Sequence, residues 1–146
     1  MGKKKGFTIV ELLIVIAIAS ILAAIGVWGG SNLLPKYRLD GAATRVRGDL
    51  SLARVRATKA RLQYRVEFST NGYLVREGDK TSGSSSWTTK LSRDFSDYPG
   101  VTVKNVTNNP VFSPRGTASS LGTITLENEI GSEKEIAVSR SKIKVN

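Results

Sequence analysis

The chain has 146 residues and a formal net charge of +10, from 22 Lys and Arg against 12 Asp and Glu. It contains no Cys and no His, which excludes disulfides, thiol nucleophiles, His general bases and the usual Cys/His zinc sites. The length is that of one domain, and a balance this basic suits nucleic acid, anionic lipid or acidic partners through long-range attraction.

At the amino end, Lys3, Lys4 and Lys5 precede an apolar run that lasts to about Gly30 and is interrupted by one charge, Glu11. An apolar helix of roughly 20 residues is long enough to cross a bilayer, and a carboxylate near its end is costly in hydrocarbon. Two ordinary readings fit the composition. One is a secretory signal, with Ala17, Ala19, Ser20, Ala23 and Ala24 offering small residues for a cleavage site. The other is a plain transmembrane anchor held with its lysines on the cytoplasmic side.

The residues from Lys5 to Ile18, Lys-Gly-Phe-Thr-Ile-Val-Glu-Leu-Leu-Ile-Val-Ile-Ala-Ile, closely resemble the class III signal of type IV pilins and type II secretion pseudopilins. The resemblance implies that a prepilin peptidase cuts after Gly6, that Phe7 becomes the N-methylated mature terminus, and that the apolar helix is kept. It also gives Glu11 a role. The helix dipole lowers the cost of a carboxylate one turn from the helix start, and in a filament Glu11 would face the α-amino group of Phe7 on its own or a neighbouring subunit. Removing one member of such a pair leaves a buried charge, so Glu11 reads as an assembly determinant. Loss of the three lysines would leave 19 basic against 12 acidic side chains, a balance of +7, so the positive excess lies mostly in the body of the protein.

Beyond the apolar run, Leu39, Ala43, Val46, Leu50, Ala53, Ala57 and Ala60 recur at alternating spacings of four and three, one face of a helix. Arg38, Arg45, Arg47, Arg54, Arg56, Lys59 and Arg61 give its other positions a strongly basic exposed side. Gly26, Gly29, Gly30 and Pro35 stand where apolar character gives way to polar, so a kink or melted segment is expected at 29–35. Trp28 reads as an interface-belt or packing aromatic; many type IV pilins carry a Pro near its position.

From Leu62 the period becomes two, with Gln63, Arg65 and Glu67 alternating with Tyr64, Val66 and Phe68 in a half-buried strand. Thr70-Asn71-Gly72 supplies a turn and residues 73–77 return as the hairpin partner. Residues 78–86 form a Gly/Ser-rich loop for which mobility is the simplest expectation, after which Trp87 and Leu91 rejoin the core. Later strands are expected at 101–106, 111–113, 122–127, 134–139 and 142–145.

A long N-terminal helix followed only by strands implies an α+β fold. Together with the resemblance it implies a pilin-like architecture, with the hydrophobic half of the helix protruding and the amphipathic half packed on a C-terminal antiparallel β-sheet head. The expected divisions are a leader peptide, 1–6; a hydrophobic transmembrane and filament-core helix, 7–34; and a globular head, 35–146, made of an amphipathic helix 36–61 and a β-sheet 62–146. The pattern Phe112-Ser113-Pro114-Arg115-Gly116, then Thr123 to Leu126, then Ile136 to Ser139 and a basic final strand, is similar to the GspH/FimT subgroup of pseudopilins and minor pilins. Pro114 and Gly116 read as turn-makers between strands.

No cluster suggests catalysis, and no cofactor is expected. Asp94, Asp97, Glu127, Glu129, Glu133 and Glu135 stand in no metal-binding spacing, and Ser82 to Ser86 lacks the Gly-Lys-Ser/Thr ending of a phosphate-binding loop. The resemblance implies other pilin or pseudopilin subunits, the prepilin peptidase and an inner-membrane assembly platform as partners, with the inner membrane holding the chain before assembly and the head in the periplasm or outside. It leaves a filament subunit, in the minor class, as the first function. The alternative is a DNA-binding minor pilin for natural transformation. Some members of the subgroup bind DNA through a Gly-Arg-x-Arg-like loop, and the nearest segment here, Ser139 to Lys144, keeps alternating charge but lacks the Gly and replaces one Arg with Lys. Arg140, Lys142 and Lys144 would then contact phosphates in a sequence-independent, salt-sensitive way; the simpler reading is a solvated strand face.

Overall fold

The computed structural model describes residues 7–30 and 33–146, with the backbone alone described for 25–30. Helix α1 runs Ile9–Gly30 and helix α2 runs Leu33–Ala60. Residues divide into two compact units, one ending at Leu34 and the other Pro35–Asn146. The kink expected at 29–35 falls across Ser31 and Asn32, outside the described residues, and Trp28 has no described side chain.

In the first unit, every described side chain from Phe7 to Ala24 is exposed. A helix that is apolar on all sides is one made to be surrounded, by lipid or by other protein. Among the described residues, no helix is long and apolar enough to cross a membrane.

In the second unit, Pro35 stands in the first turn of α2, where its missing N–H needs no partner. The buried face of α2 is Pro35, Leu39, Ala42, Ala43, Val46, Leu50, Ala53 and Ala57. The spacing of four and three placed six of these; Pro35 and Ala42 are additions, and Ala60 is exposed at the helix end. The small alanines allow close approach to the strands, and Leu39, Val46 and Leu50 join Tyr64, Val66, Val75, Phe112, Ile124, Leu126 and Ile136 in one core. Arg61, directly after the helix, takes a left-handed conformation with φ 56°, the usual place of a C-terminal capping glycine.

The strands are β1 Tyr64–Ser69, β2 Gly72–Gly78, β3 Trp87–Asp94, β4 Val101–Val106, β5 Val111–Phe112, β6 Ala118–Ser120, β7 Gly122–Asn128, β8 Glu133–Val138 and β9 Ile143–Val145. They form two antiparallel sheets rather than the one expected, in the orders β3-β2-β1-β5-β6 and β4-β7-β8-β9. The β1–β2 hairpin closes with Ser69 opposite Gly72. Gly72 is therefore a strand residue, and a Cβ there would collide with the Arg93 carbonyl of β3. Close approach of a backbone, not turn geometry, fixes that glycine.

Sequence patterning missed β3 and β6. Most of β3 is exposed and polar; Leu91 packs on the core, while Trp87 lies half-buried under the Arg65 guanidinium, 4.3 Å from its ring centre. The 78–86 segment, expected to be mobile, is cross-linked by hydrogen bonds. Asp79 Oδ1 accepts from the amides of Ser85 at 3.0 Å and Ser86 at 3.2 Å. The buried Gln63 side chain accepts from the Ser84 amide at 2.9 Å.

Candidate functional site

The functional residues predicted from sequence fall in two places. At the amino end, Gly6 lies outside the described residues, while Phe7 and Thr8 precede the helix and Phe7 is 83% exposed. The Thr8 hydroxyl accepts the Glu11 amide hydrogen at 3.2 Å, and the Thr8 carbonyl accepts that of Leu12 at 3.2 Å. Thr8 is thus the N-cap, Ile9 the first helical residue and Glu11 the third. This Thr-x-x-Glu spacing is the capping-box pattern, a signal present in the sequence that the reading of Glu11 as a charge passed over. Phe7, Glu11, Leu12, Val15 and Ile16 line one shallow, apolar groove along this face. The site can offer an exposed carboxylate one helical turn from Phe7, in apolar surroundings.

The second place is the carboxyl end. Arg140, Lys142 and Lys144 are exposed, the first two on the β8–β9 turn and the third on the edge strand β9. The turn is closed by Ser139: its amide donates to the Lys142 carbonyl at 2.9 Å, and its hydroxyl accepts from the Lys142 amide at 3.2 Å. Arg54 of α2 donates to the Ser141 carbonyl at 2.9 Å, and its guanidinium lies 5.4 Å from the Phe112 ring centre. The Ala118 amide donates to the Arg140 carbonyl at 3.1 Å. The basic turn is consequently anchored to both α2 and the first sheet. Among the described residues, Arg140, Lys142 and Lys144 form no ion pair.

The basic side of α2 is not uniformly solvated. Arg45 pairs with Asp97 at 2.6 Å and Arg38 reaches Glu129 at 4.0 Å, so these two, with Arg54, tie the helix to the rest of the head. Two polar clusters invisible to sequence spacing add further ties, the first between α2 and the first sheet and the second among strands of that sheet. Tyr73 of β2 donates to Asp49 Oδ2 of α2 at 2.6 Å, and Arg93 Nε of β3 stands 3.4 Å from the same oxygen. Burial, then the Asp49 carboxylate, pushes the Tyr73 phenol far above its ordinary range. Tyr64 donates to Glu77, which also pairs with Lys90 at 2.9 Å. Burial and the Glu77 carboxylate push the Tyr64 phenol up to about 12, while the Tyr64 hydroxyl and Lys90 hold Glu77 below the usual carboxylate range. Residues 113–117 turn as expected: Gly116 has φ 74° and donates to the Ser113 carbonyl at 2.9 Å. Among the described residues, no group of three or more acidic, Cys or His side chains could hold a metal ion.

Comparison with known proteins places this geometry. Residues 1–27 match the family model of the prokaryotic N-terminal methylation motif, and residues 42–142 match that of type II transport protein GspH. The solution structure of E. coli GspH is similar with a TM-score of 0.63 at 17% identity, covering 80% of this chain and 93% of that one, which is a likeness of fold. A comparison with curated proteins finds no match. With a methylation-type amino terminus, a helix on antiparallel sheets and a family match over more than half its length, the chain belongs to the GspH family as a type IV pilin-like pseudopilin.

Proposed function

We propose that the chain is a minor structural subunit of a type II secretion pseudopilus. It is inserted in the bacterial inner membrane through its apolar amino-terminal run, with the head in the periplasm, and a prepilin peptidase cleaves it after Gly6. Phe7 is then N-methylated. An assembly platform moves the subunit into a filament, where the apolar helix leaves lipid for the company of other pseudopilin helices.

The observation that carries this reading is α1 itself. Its described side chains are exposed and apolar apart from Glu11 and Ser20, whose hydroxyl is spent on the Ile16 carbonyl at 2.7 Å, and the Glu11 carboxylate stands at the third helical position, next to the terminus that cleavage would create. In filament surroundings an unpaired carboxylate is strongly disfavoured, and the Phe7 amine is the cation in reach. The test is the mature terminus. Mass spectrometry of the protein from membranes should find a chain beginning at Phe7 with one added methyl group; a chain that retains Gly6, or that begins beyond the apolar run, contradicts the proposal.

A second reading, DNA binding during uptake, draws support from the exposed cations Arg140, Lys142 and Lys144, which form no ion pair among the described residues, on an anchored turn and edge strand. Phosphate contacts of this kind weaken steeply with salt. A gel shift of the protein on duplex DNA across a salt series decides it: absence of binding at low salt removes this reading and leaves the first intact.

A further inference from the structure

The head gathers positive charge at the end where α2 stops. Arg56 and Lys59 lie in the last two turns of the helix, and three other segments close around them. The Gln63 amide, just past the helix, donates to the Lys80 carbonyl at 3.0 Å. The 113–117 turn stands against the helix, with Thr58 Oγ1 3.2 Å from the place of a Cβ on Gly116. Arg54 holds the β8–β9 turn at the same end. Lys80, Arg115, Arg140 and Lys142 thus join Arg56 and Lys59, and among the described residues none of the six forms an ion pair. Elsewhere on the head Arg38, Arg45, Arg93, Lys104 and Lys134 each meet a carboxylate. The helix dipole favours a cation in the last turn, which accounts for Lys59 and leaves the cations of the other segments without a reason inside the head.

Two hollows open among these cations. One, of about 550 Å³, is lined by Arg56, Lys59 and Lys90 together with the hydrogen-bonded Tyr64 and Glu77. The other, of about 430 Å³, is lined by Arg115 and by the hydroxyl-bearing Thr81, Ser82, Ser113 and Thr117. We propose that this end of the head docks on an acidic protein surface, whose separate Asp and Glu side chains enter the two hollows and pair with Arg56, Lys59 and Arg115. A surface of one sign selects a partner of the other and repels its own. The lining favours separate carboxylates over a phosphate strand. A strand carries its charges on one continuous backbone and would run past the Glu77 carboxylate in the first hollow, where like charges repel. Individual side chains meet Arg56 and Lys59 and leave Glu77 to Tyr64 and Lys90, while the hydroxyls of the second hollow donate to a carboxylate oxygen. The surface lies on the head, apart from the apolar helix, so it does not depend on processing at Gly6. It competes with DNA for Arg140 and Lys142.

The experiment is fluorescence anisotropy with a labelled ten-residue polyglutamate peptide and a labelled ten-nucleotide thymidylate strand, on the full-length chain held in phosphatidylcholine nanodiscs, over a salt series. The peptide should bind, and more weakly as salt rises. Lys59→Ala with Arg115→Ala removes two exposed cations that have no partner in the head, and should lower the affinity roughly three- to tenfold, the scale of two exposed ion pairs. K59R/R115K keeps the charge and should match the wild type. K36A/R47A removes the same charge from exposed positions earlier on α2 and should also match it. Equal losses in K59A/R115A and K36A/R47A would show net charge alone at work and overturn the proposal, as would absence of peptide binding at low salt. Thymidylate bound at least as tightly as the peptide, and released by K59A/R115A, overturns the choice of a protein partner in favour of nucleic acid.

Discussion

Replacing Asp49 by alanine removes the acceptor that joins α2 to two strands of the first sheet. Tyr73 is 2% exposed and donates to Asp49 Oδ2 at 2.6 Å, so in the variant its hydroxyl is left without a partner in a buried place. An unsatisfied group of this kind costs about 1–3 kcal/mol, and the lost acceptor is a charged one, so about 2 kcal/mol is expected. The Arg93 contact at 3.4 Å adds little, since that side chain is 38% exposed and solvent already screens it. For a domain of this size each kcal/mol moves the melting temperature by about 5 °C, giving a fall of about 10 °C. Urea denaturation of the head fragment, Pro35–Asn146, measures the loss directly. Removing both partners is far milder than removing one, so Tyr73→Phe in the D49A background should recover most of the stability. A D49A head within about 0.5 kcal/mol of the wild type, the ordinary range for surface changes, would refute the assignment of this cluster as a tie between helix and sheet.

Tyr64→Phe should flatten both ends of the stability profile against pH. The Tyr64 phenol is raised on folding, so its contribution is complete below about pH 10 and is lost as pH rises toward the folded value of about 12. Glu77 is lowered, so its contribution is complete above about pH 4.3 and is lost as pH falls through the folded value. The phenylalanine variant removes the first effect and weakens the second, which thermal melts of the head over a pH series would reveal as shallower acid and alkaline limbs. Arg61→Gly should stabilise the head by about 1 kcal/mol, because Arg61 holds the left-handed conformation that glycine adopts without penalty. The same melts at neutral pH check that sign; destabilisation would show that the arginine side chain, not the backbone, governs this helix end.

The parts of the fold written as short-range periodicity could be read from the sequence. Leu39, Ala43, Val46, Leu50, Ala53 and Ala57 marked the buried face of α2, and the alternation from Gln63 to Phe68 marked β1, because each pattern records which side meets the core. β3 gives no such record. It lies at an open sheet edge with Thr88, Thr89, Lys90 and Ser92 exposed, so its polar composition resembles that of a loop. The 78–86 segment shows the opposite difficulty: its Gly/Ser content suggested freedom, while the bonds that restrain it run to its own Asp79 and to Gln63, which lies before the β1–β2 hairpin. The Asp49, Tyr73 and Arg93 cluster joins residues far apart in the chain, and no local spacing marks it. At the candidate site, Glu11 stood out as one charge in an apolar run. Thr8 was equally available as the first residue of a Thr-x-x-Glu pattern, but its role needed the hydrogen bond to be seen. Arg140, Lys142 and Lys144 were legible as charges, whereas the anchoring of their turn by Arg54 came only from the fold.

The role proposed for Glu11 is in assembly, after processing and insertion, where it meets the Phe7 amine. The direct measurement is the distribution of Glu11→Ala subunits between the membrane and sheared filaments, beside the wild type. The variant is expected to be cleaved after Gly6 and held in the membrane at normal levels, yet strongly depleted from filaments. Filaments containing E11A at the wild-type ratio would contradict it.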